Sequence, residues 1–382
     1  MNNLSPVFYN AESVRRVLNW PMVNEAVEAA LKAVVDHTSE PNANAGVEHM
    51  EQDQGNEPQS NNSIKSYVSQ PARSVTIAGN DPSKLMLTMP AFVGNYRLTA
   101  GGAGGDATNV GRSTLACKVV TSFRANRQLQ PPLPSICANI MLFNVKTGEL
   151  EAIMAGTDIT TWRTVSASLV ATKYLYFRRF GPRAEHQLEI NVAIVGCGAQ
   201  GQLHAAAMCA NFKVKQLNLY NRTESQAVQL ASQLRQRLSS DSSNSYATDM
   251  PDIKVCSSAR EAVAQADVIC MATYAREALI HANDLREKRS VHINAVGAGE
   301  VHFGEVSADI YAESLVYVDC MSNAEHELVG LPAPIAGELG GVIIHGNYPD
   351  EQAVTIFQSM GMASEDACVA EAVQSALLSC AK

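Results

Sequence analysis

The 382-residue sequence lacks three features, and each absence removes a class of function. It has no surplus of positive charge. Against 38 Asp and Glu stand 29 Lys and Arg, a formal charge of −9. That argues against nucleic-acid binding, which needs a basic face to neutralise phosphates. A local basic pocket for a small anion stays open. No Cys-X-X-Cys pair occurs among the nine cysteines, so zinc-ribbon and thioredoxin-like sites lack support and no metal is expected. No uninterrupted apolar run is long enough to span a bilayer, so no membrane partner is expected. Several cysteines sit inside apolar runs, where a free thiol behaves as a small hydrophobe. Their odd number and a start without a secretory pattern predict a reducing compartment, the cytosol.

The length suits two domains. Residues 11–36 read as helices, with Pro21 at a first helical position and Val23, Ala26, Val27, Ala30, Leu31 and Val34 at helical spacing. Residues 37–66 turn polar and are expected to form a flexible insertion, because they cannot bury enough apolar surface to offset their ordering entropy. Strands are predicted at Ser74–Ile77, Lys84–Met89, Ala116–Phe123, Ala138–Asn144 and Glu151–Met154. The Gly-rich 97–112 stretch between them reads as a mobile loop. A helix is predicted over Thr160–Phe177, with Asp158 or Thr160 as its cap.

From Ile190 strands and helices alternate, which implies a parallel sheet covered by helices on both faces. The predicted strands are Ile190–Val195, Gln216–Tyr220, Ala266–Ala272, Ser290–Val296 and Leu315–Asp319. The predicted helices are Gly198–Asn211 and 223–238, followed by a Ser/Asp-rich loop at 239–252. Ser258 and Glu261 form a capping box before a further helix. The tail, 351–378, reads as helix.

The first of these strands runs into Gly196-Cys197-Gly198-Ala199-Gln200-Gly201 and then a helix, the context that a dinucleotide-binding turn requires. Gly196 would shape the turn, Gly198 would let the backbone approach a pyrophosphate, and Gly201 would let helix and sheet pack closely. The N–H groups of the helix start, at Ala199 and Gln200, suit phosphate oxygens. At the end of the second strand stand Asn221, Arg222 and Thr223, with no carboxylate to bind a ribose 2′-OH or repel a 2′-phosphate. Arg222 can pair with such a phosphate, so NADP is expected over NAD. Thr273 should lie near the adenosine or ribose side. Val296 and Gly297 should flank the nicotinamide.

Three basic residues stand at element edges in the first half: Arg73, Lys118 and Arg163. Lys118 lies inside an apolar strand, where a lone ammonium is costly. Arg163 lies near a helix start, which does not favour a cation. Both positions are easier to explain if an anionic ligand faces them.

The segments QPARSV, MPAF, LACKVVTSF, TTWRTVSASLVATKYL, AIVGCGAQGQLHAAA, LNLYNRT, HINAVGA and TIFQSMGMASEDACVAEAV together resemble the ornithine cyclodeaminase/mu-crystallin family, most closely its ketimine reductase branch. The resemblance implies an α/β protein: a Rossmann doubly wound sheet (166–354) inserted in an α+β substrate-binding and dimerisation domain (1–165 and 355–382). It implies a homodimer in which Arg73 and Arg163 clamp a substrate carboxylate and Lys118 sits beside the reacting carbon and nitrogen. The implied reaction is NADPH-dependent reduction of a cyclic ketimine carboxylate, of piperideine- or pyrroline-2-carboxylate type, to a cyclic amino acid. Rivals on the same frame are ornithine cyclodeamination, alanine-dehydrogenase-like amination, and binding of NADPH and thyroid hormone without turnover. One segment departs from the family. Where cyclodeaminases carry an acidic catalytic residue, and the mu-crystallin branch Ser-Arg-Pro-Asp, this chain has Gly299-Glu300-Val301-His302. That weighs against cyclodeamination and leaves Glu300 and His302 as acid/base candidates.

Overall fold

Local sequence preferences resolve into two sheets in the computed structural model, which describes residues 5–38, 65–98, 111–240, 250–285, 290–297 and 302–380. The first half comprises β1 (Val7–Tyr9), α1 (Ala11–Val17), α2 (Trp20–Thr38), β2 (Tyr67–Ser69), β3 (Ser74–Ile77), β4 (Lys84–Tyr96), β5 (Arg112–Phe123), β6 (Ile136–Phe143), β7 (Leu150–Ala155) and α3 (Thr157–Ala171). These strands make one sheet ordered β1-β7-β6-β5-β4-β2, with β3 also on β4. All pairings are antiparallel except β1 with β7.

The second half comprises β8 (Glu189–Val195), α4 (Ala199–Asn211), β9 (Lys213–Tyr220), α5 (Glu224–Ser240), β10 (Asp252–Val255), α6 (Ala259–Val263), β11 (Val268–Met271) and β12 (Val291–Ala295). It continues with α7 (Ala308–Ala312), β13 (Ser314–Val318), α8 (Met321–Glu327), β14 (Ile335–Glu338), α9 (Leu339–His345), β15 (Val354–Gln358) and α10 (Ala363–Cys380). Its eight strands are all parallel, in the order β10-β9-β8-β11-β12-β15-β13-β14. The order reverses between β8 and β11, the Rossmann switch point.

The tail differs from expectation. It opens with a strand, β15, between β12 and β13, with all five residues buried. Such a short apolar run reads equally as strand or helix until its neighbours are known. The domain boundary expected at 354 falls inside this strand. The one expected at 165 falls inside α3, a helix shared by two cores. Ile159, Ala167 and Val170 pack with α2 and α10, while Val165 and Leu169 pack with α4 and α5. α3 also starts earlier than predicted, with Gly156 at its cap and no side-chain cap bond, and passes into a wider π-type turn at Thr172–Tyr176. Ser258 does accept the Glu261 N–H, and Glu261 reaches back to Ser257. Most of the 37–66 insertion, of the Gly-rich stretch and of the Ser/Asp-rich loop lies outside the described residues.

α10 covers the first sheet. Its Ala367, Val369, Ala370 and Val373 share a core with Met89 and Ala91 of β4, Ala116 of β5 and Ile140 of β6. The chain therefore leaves the parallel sheet at the carboxyl end of β15 and passes directly onto the antiparallel one. That crossing builds the candidate site.

Candidate active site

The glycine turn has the geometry its spacing implies. Gly196 has φ +99°, a conformation side chains resist, and a Cβ there would lie 2.6 Å from the Ala272 carbonyl oxygen. A Cβ on Gly201 would overlap the Gly196 carbonyl oxygen, so only glycine lets α4 sit this close to the strand. Gly198, by contrast, has no heavy atom within 4 Å of its missing Cβ. It faces an open cradle lined by the first N–H groups of α4, at Ala199 and Gln200. This cradle fits the pyrophosphate of a dinucleotide.

The side chains of Asn221 and Thr273 are hydrogen-bonded within the protein. Asn221 Oδ1 accepts the Cys197 N–H at 2.9 Å, and its Nδ2 donates to Thr223 O and Gln226 Oε1, both at 3.0 Å. Asn221 thus braces the phosphate turn against the end of β9. The Thr273 hydroxyl donates to Glu305 Oε1 at 2.6 Å and accepts the Ala275 N–H at 3.2 Å. Its methyl group lies against Gly196. Arg222 and Thr223 are exposed. Val296 donates its N–H to Met271 O, and buried Gly297 follows it at the end of β12.

Where the two sheets meet, the three cations converge. Lys118 lies on the face of β5 that carries Ala116 and Val120, and is only 2% exposed. Its ammonium pairs with Asp366 Oδ2 in the first turn of α10. Arg163 donates from Nε to Asp366 Oδ1 and from Nη1 to Glu365 Oε2, both at 3.3 Å. Arg73 donates from Nη2 to the carbonyls of Met360 (3.2 Å) and Gly361 (3.1 Å), and pairs with Glu327 Oε1 at 2.8 Å. The other Glu327 oxygen lies 3.2 Å from His302 Nε2. Asp319, just past β13, accepts the N–H groups of Met360 and Gly361 at 2.8 and 2.6 Å. A Cβ on Gly361 would overlap the Arg163 guanidinium, so Arg73 and Arg163 flank this glycine.

The anions that explain Lys118 and Arg163 are therefore internal. Asp366 and Glu365 already face these cations, so their burial is explained within the protein, where the sequence suggested a ligand. Three cations stand against four carboxylates, Asp319, Glu365 and Asp366 buried and Glu327 half-buried, so the pocket keeps no surplus of positive charge. Burial depresses Lys118 to about 8, helped by Arg163 and Arg73 and opposed by Asp366. Burial raises Glu365 to about 7, against the pull of Arg163. It raises Asp319 as well, against its two N–H donors. Arg163 Nη2 and Arg73 Nη1 remain without a partner among the described residues, so each guanidinium keeps N–H donors that the protein does not use.

His302 joins this group through Glu327, and its carbonyl accepts Gln358 Nε2 at 2.8 Å at the end of β15. Glu300 lies outside the described residues. The sequence reading missed Asp319, Glu327, Glu365, Asp366 and Glu305. A signal was present for the pair in the tail, GMASEDACVAEAV, where two adjacent acids, Glu365 and Asp366, open a run that is mostly apolar apart from Glu371. Acids are favoured in any first helical turn, so the pattern alone did not mark a site. Among the described residues no cluster is arranged to hold a metal ion, and no helix is long and apolar enough to cross a membrane.

Residues 106–380 match the model of the ornithine cyclodeaminase/mu-crystallin family. The chain is 32% identical over 270 residues to ketimine reductase mu-crystallin of Mus musculus, covering 70% of this chain and 77% of that protein. It is 30% identical over 275 residues to a Δ1-pyrroline-2-carboxylate reductase of Bacillus cereus, covering 68% and 77%. Its fold is similar to that of the Thermococcus litoralis Δ1-pyrroline-2-carboxylate reductase in complex with NADH and L-proline. That match has a TM-score of 0.69, 23% identity and 98% of both chains covered. The chain belongs to the ornithine cyclodeaminase/mu-crystallin family.

Proposed function

We propose that this chain is an imine-reducing oxidoreductase that converts a small cyclic ketimine carboxylate, of piperideine-2-carboxylate or pyrroline-2-carboxylate type, to the cyclic amino acid with NADPH. The names of its relatives support the imine class. The observation that carries the reading is the meeting of Arg73, Lys118 and Arg163 with Asp319, Glu365 and Asp366 beside the carboxyl ends of the parallel strands.

In this reading Gly196, Gly198, Ala199, Gln200 and Gly201 hold the pyrophosphate, with Asn221 bracing the turn. Arg222 and Thr223 receive the 2′-phosphate, and Val296 and Gly297 flank the ring. When bound, the nicotinamide supplies a hydride to the imine carbon. The open edges of Arg73 and Arg163 hold the substrate carboxylate. Asp366 and its neighbours cancel the cationic field, so a protonated iminium is not expelled. Lys118, an ammonium below about pH 8, donates its proton to the imine nitrogen, and the iminium so formed becomes the amine on receiving the hydride, with no further proton needed. Positioning supplies most of the rate.

A homodimer is part of the proposal. The face of the first sheet that carries Lys118 and Ile140 continues along β3 and β6 to exposed Val75 (54%), Ile77 (50%) and Ile136 (48%), apolar surface suited to a second copy. All nine cysteines are free, in keeping with a cytosolic setting.

Turnover with piperideine-2-carboxylate and NADPH, followed by cofactor absorbance, tests the reading. One NADPH consumed per amino acid formed is expected. Product from ornithine without net absorbance change makes the chain a cyclodeaminase. Tight NADPH binding without turnover on any cyclic imine makes it a binding protein.

A further inference from the structure

One buried acid lies outside the charged cluster. Glu305 is 2% exposed, yet no ion pair reaches it among the described residues. Its Oε1 accepts both the N–H and the hydroxyl of Thr273, each at 2.6 Å. Its Oε2 makes no hydrogen bond of ordinary geometry and occupies the space that a Cβ on Gly297 would need. Thr273 stands two residues past β11 and Gly297 two past β12. Glu305 therefore ties together the carboxyl ends of two adjacent parallel strands, its second oxygen beside the Gly297 N–H and without a well-aligned hydrogen bond.

The sheet order says which part of a dinucleotide would lie above it. Such a ligand crosses the carboxyl ends of the strands at the switch point between β8 and β11. Asn221, Arg222 and Thr223 place the adenosine half over β9. The nicotinamide half then falls over β11 and β12, on Glu305. The nicotinamide ring is cationic when oxidised and neutral when reduced. A buried carboxylate with no cation beside it among the described residues distinguishes these two forms more strongly than any exposed charge would.

We propose that Glu305 is a positioning residue that discriminates between the oxidation states of the cofactor: ionised, it stabilises the oxidised ring, and protonated, it no longer favours it over the reduced one. The proposal rests on the nicotinamide reading of the crevice. Burial raises the Glu305 carboxyl to about 7, with the Thr273 donors and the nearby Gly297 N–H opposing, so both states are populated near neutral pH. Tyr311 is the titratable group that feels its charge, and the Tyr311 hydroxyl is committed to Gln358 Oε1 at 2.7 Å.

The test is the ratio of dissociation constants for NADP+ and NADPH, measured on the whole protein by calorimetry or fluorescence between pH 6 and 8. Both forms carry the 2′-phosphate, so its titration cancels in the ratio. In the wild type the ratio should shift about tenfold toward NADP+ across this range, with proton release on binding NADP+ at pH 7 in two buffers of different ionisation enthalpy. Glu305→Gln keeps an oxygen for Thr273 and should flatten the pH dependence while weakening NADP+ more than NADPH. Glu365 also titrates near 7, so a pH slope that survives whole in Glu305→Gln belongs elsewhere and overturns the proposal. A wild-type ratio that is flat from pH 6 to 8, with both forms binding, overturns it without any variant. Binding of neither form removes the nicotinamide reading itself, and this proposal with it.

Discussion

The phosphate turn and the charged cluster solve opposite problems. At the turn the chain discards side chains. Gly196, Gly198 and Gly201 open space, and the backbone does the recognition. In the cluster the chain concentrates side chains, bringing Arg73, Lys118 and Arg163 from three elements against acids on α8, α10 and the end of β13. The first device is made by six consecutive residues. The second exists only once β5, α3 and α10 have packed. The contrast teaches that the phosphate turn is a local device and the charged cluster is not. It follows that damage to the two regions should separate in experiment.

The largest separation is expected at Lys118. Lys118→Ala leaves Asp366 buried with one cation fewer, a loss of about 3–5 kcal/mol for a broken buried pair. It should lower kcat by about 100- to 10,000-fold, the usual range for a positioned proton donor. NADPH affinity should stay within a few-fold. A fall in kcat below tenfold would remove Lys118 from the chemistry. The wild-type pH profile gives the same answer without a variant. The ammonium is the donor and burial depresses it to about 8, so kcat should decline as pH rises through that value. A profile that stays flat well above that value contradicts the assignment.

Gly201→Ala should act in reverse. The added methyl pushes α4 off the strand at about 1–3 kcal/mol, and the cofactor dissociation constant should rise by about tenfold or more. The substrate KM, measured at saturating cofactor, should hold. Equal damage to both constants would show that the regions are coupled. Arg222→Ala should cost about 1.5–3 kcal/mol of NADPH binding, or roughly tenfold to a hundredfold, with little change for NADH. Parallel losses for the two cofactors would end the NADP preference.

The smallest effect concerns two buried imidazoles behind the parallel sheet. Burial holds His204 down at about 4 and His292 at about 3. His204 bonds Gln200 O and Ser168 Oγ, and His292 bonds Thr355 Oγ1 and Asn294 Oδ1. An unfolded imidazole titrates at about 6.5. Below that pH the unfolded chain takes up protons that the native rings refuse, so stability falls as pH drops from about 6.5 toward 4. Unfolding free energies from urea titrations at about pH 7 and pH 5 should differ by on the order of 1–2 kcal/mol per ring. Equal stabilities would mean that the rings are accessible.

How much was legible follows the same division. The strand, the turn and α4 are short-range, and each glycine has a local steric reason, so sequence spacing found them. Lys118 betrayed itself by sitting in an apolar strand. Its partner did not, because Asp366 in a first helical turn is indistinguishable from an ordinary solvated acid. β15 was read as helix because so short a run has no period to separate the two structures, and only its place between β12 and β13 makes it a strand.

The sequence by itself determined a Rossmann half with its phosphate turn, the absence of a carboxylate at the end of β9, and three cations in unusual places. Backbone geometry and side-chain periodicity act over a few residues, and sequence displays them directly. Only the tertiary structure decided what those cations face, that four acids offset them, and that Glu305, with no ion pair among the described residues, spans the ends of β11 and β12. Those outcomes depend on charges brought together from distant parts of the chain, Lys118 with Asp366 and Arg73 with Glu327, where burial multiplies each interaction and no local pattern records the partner.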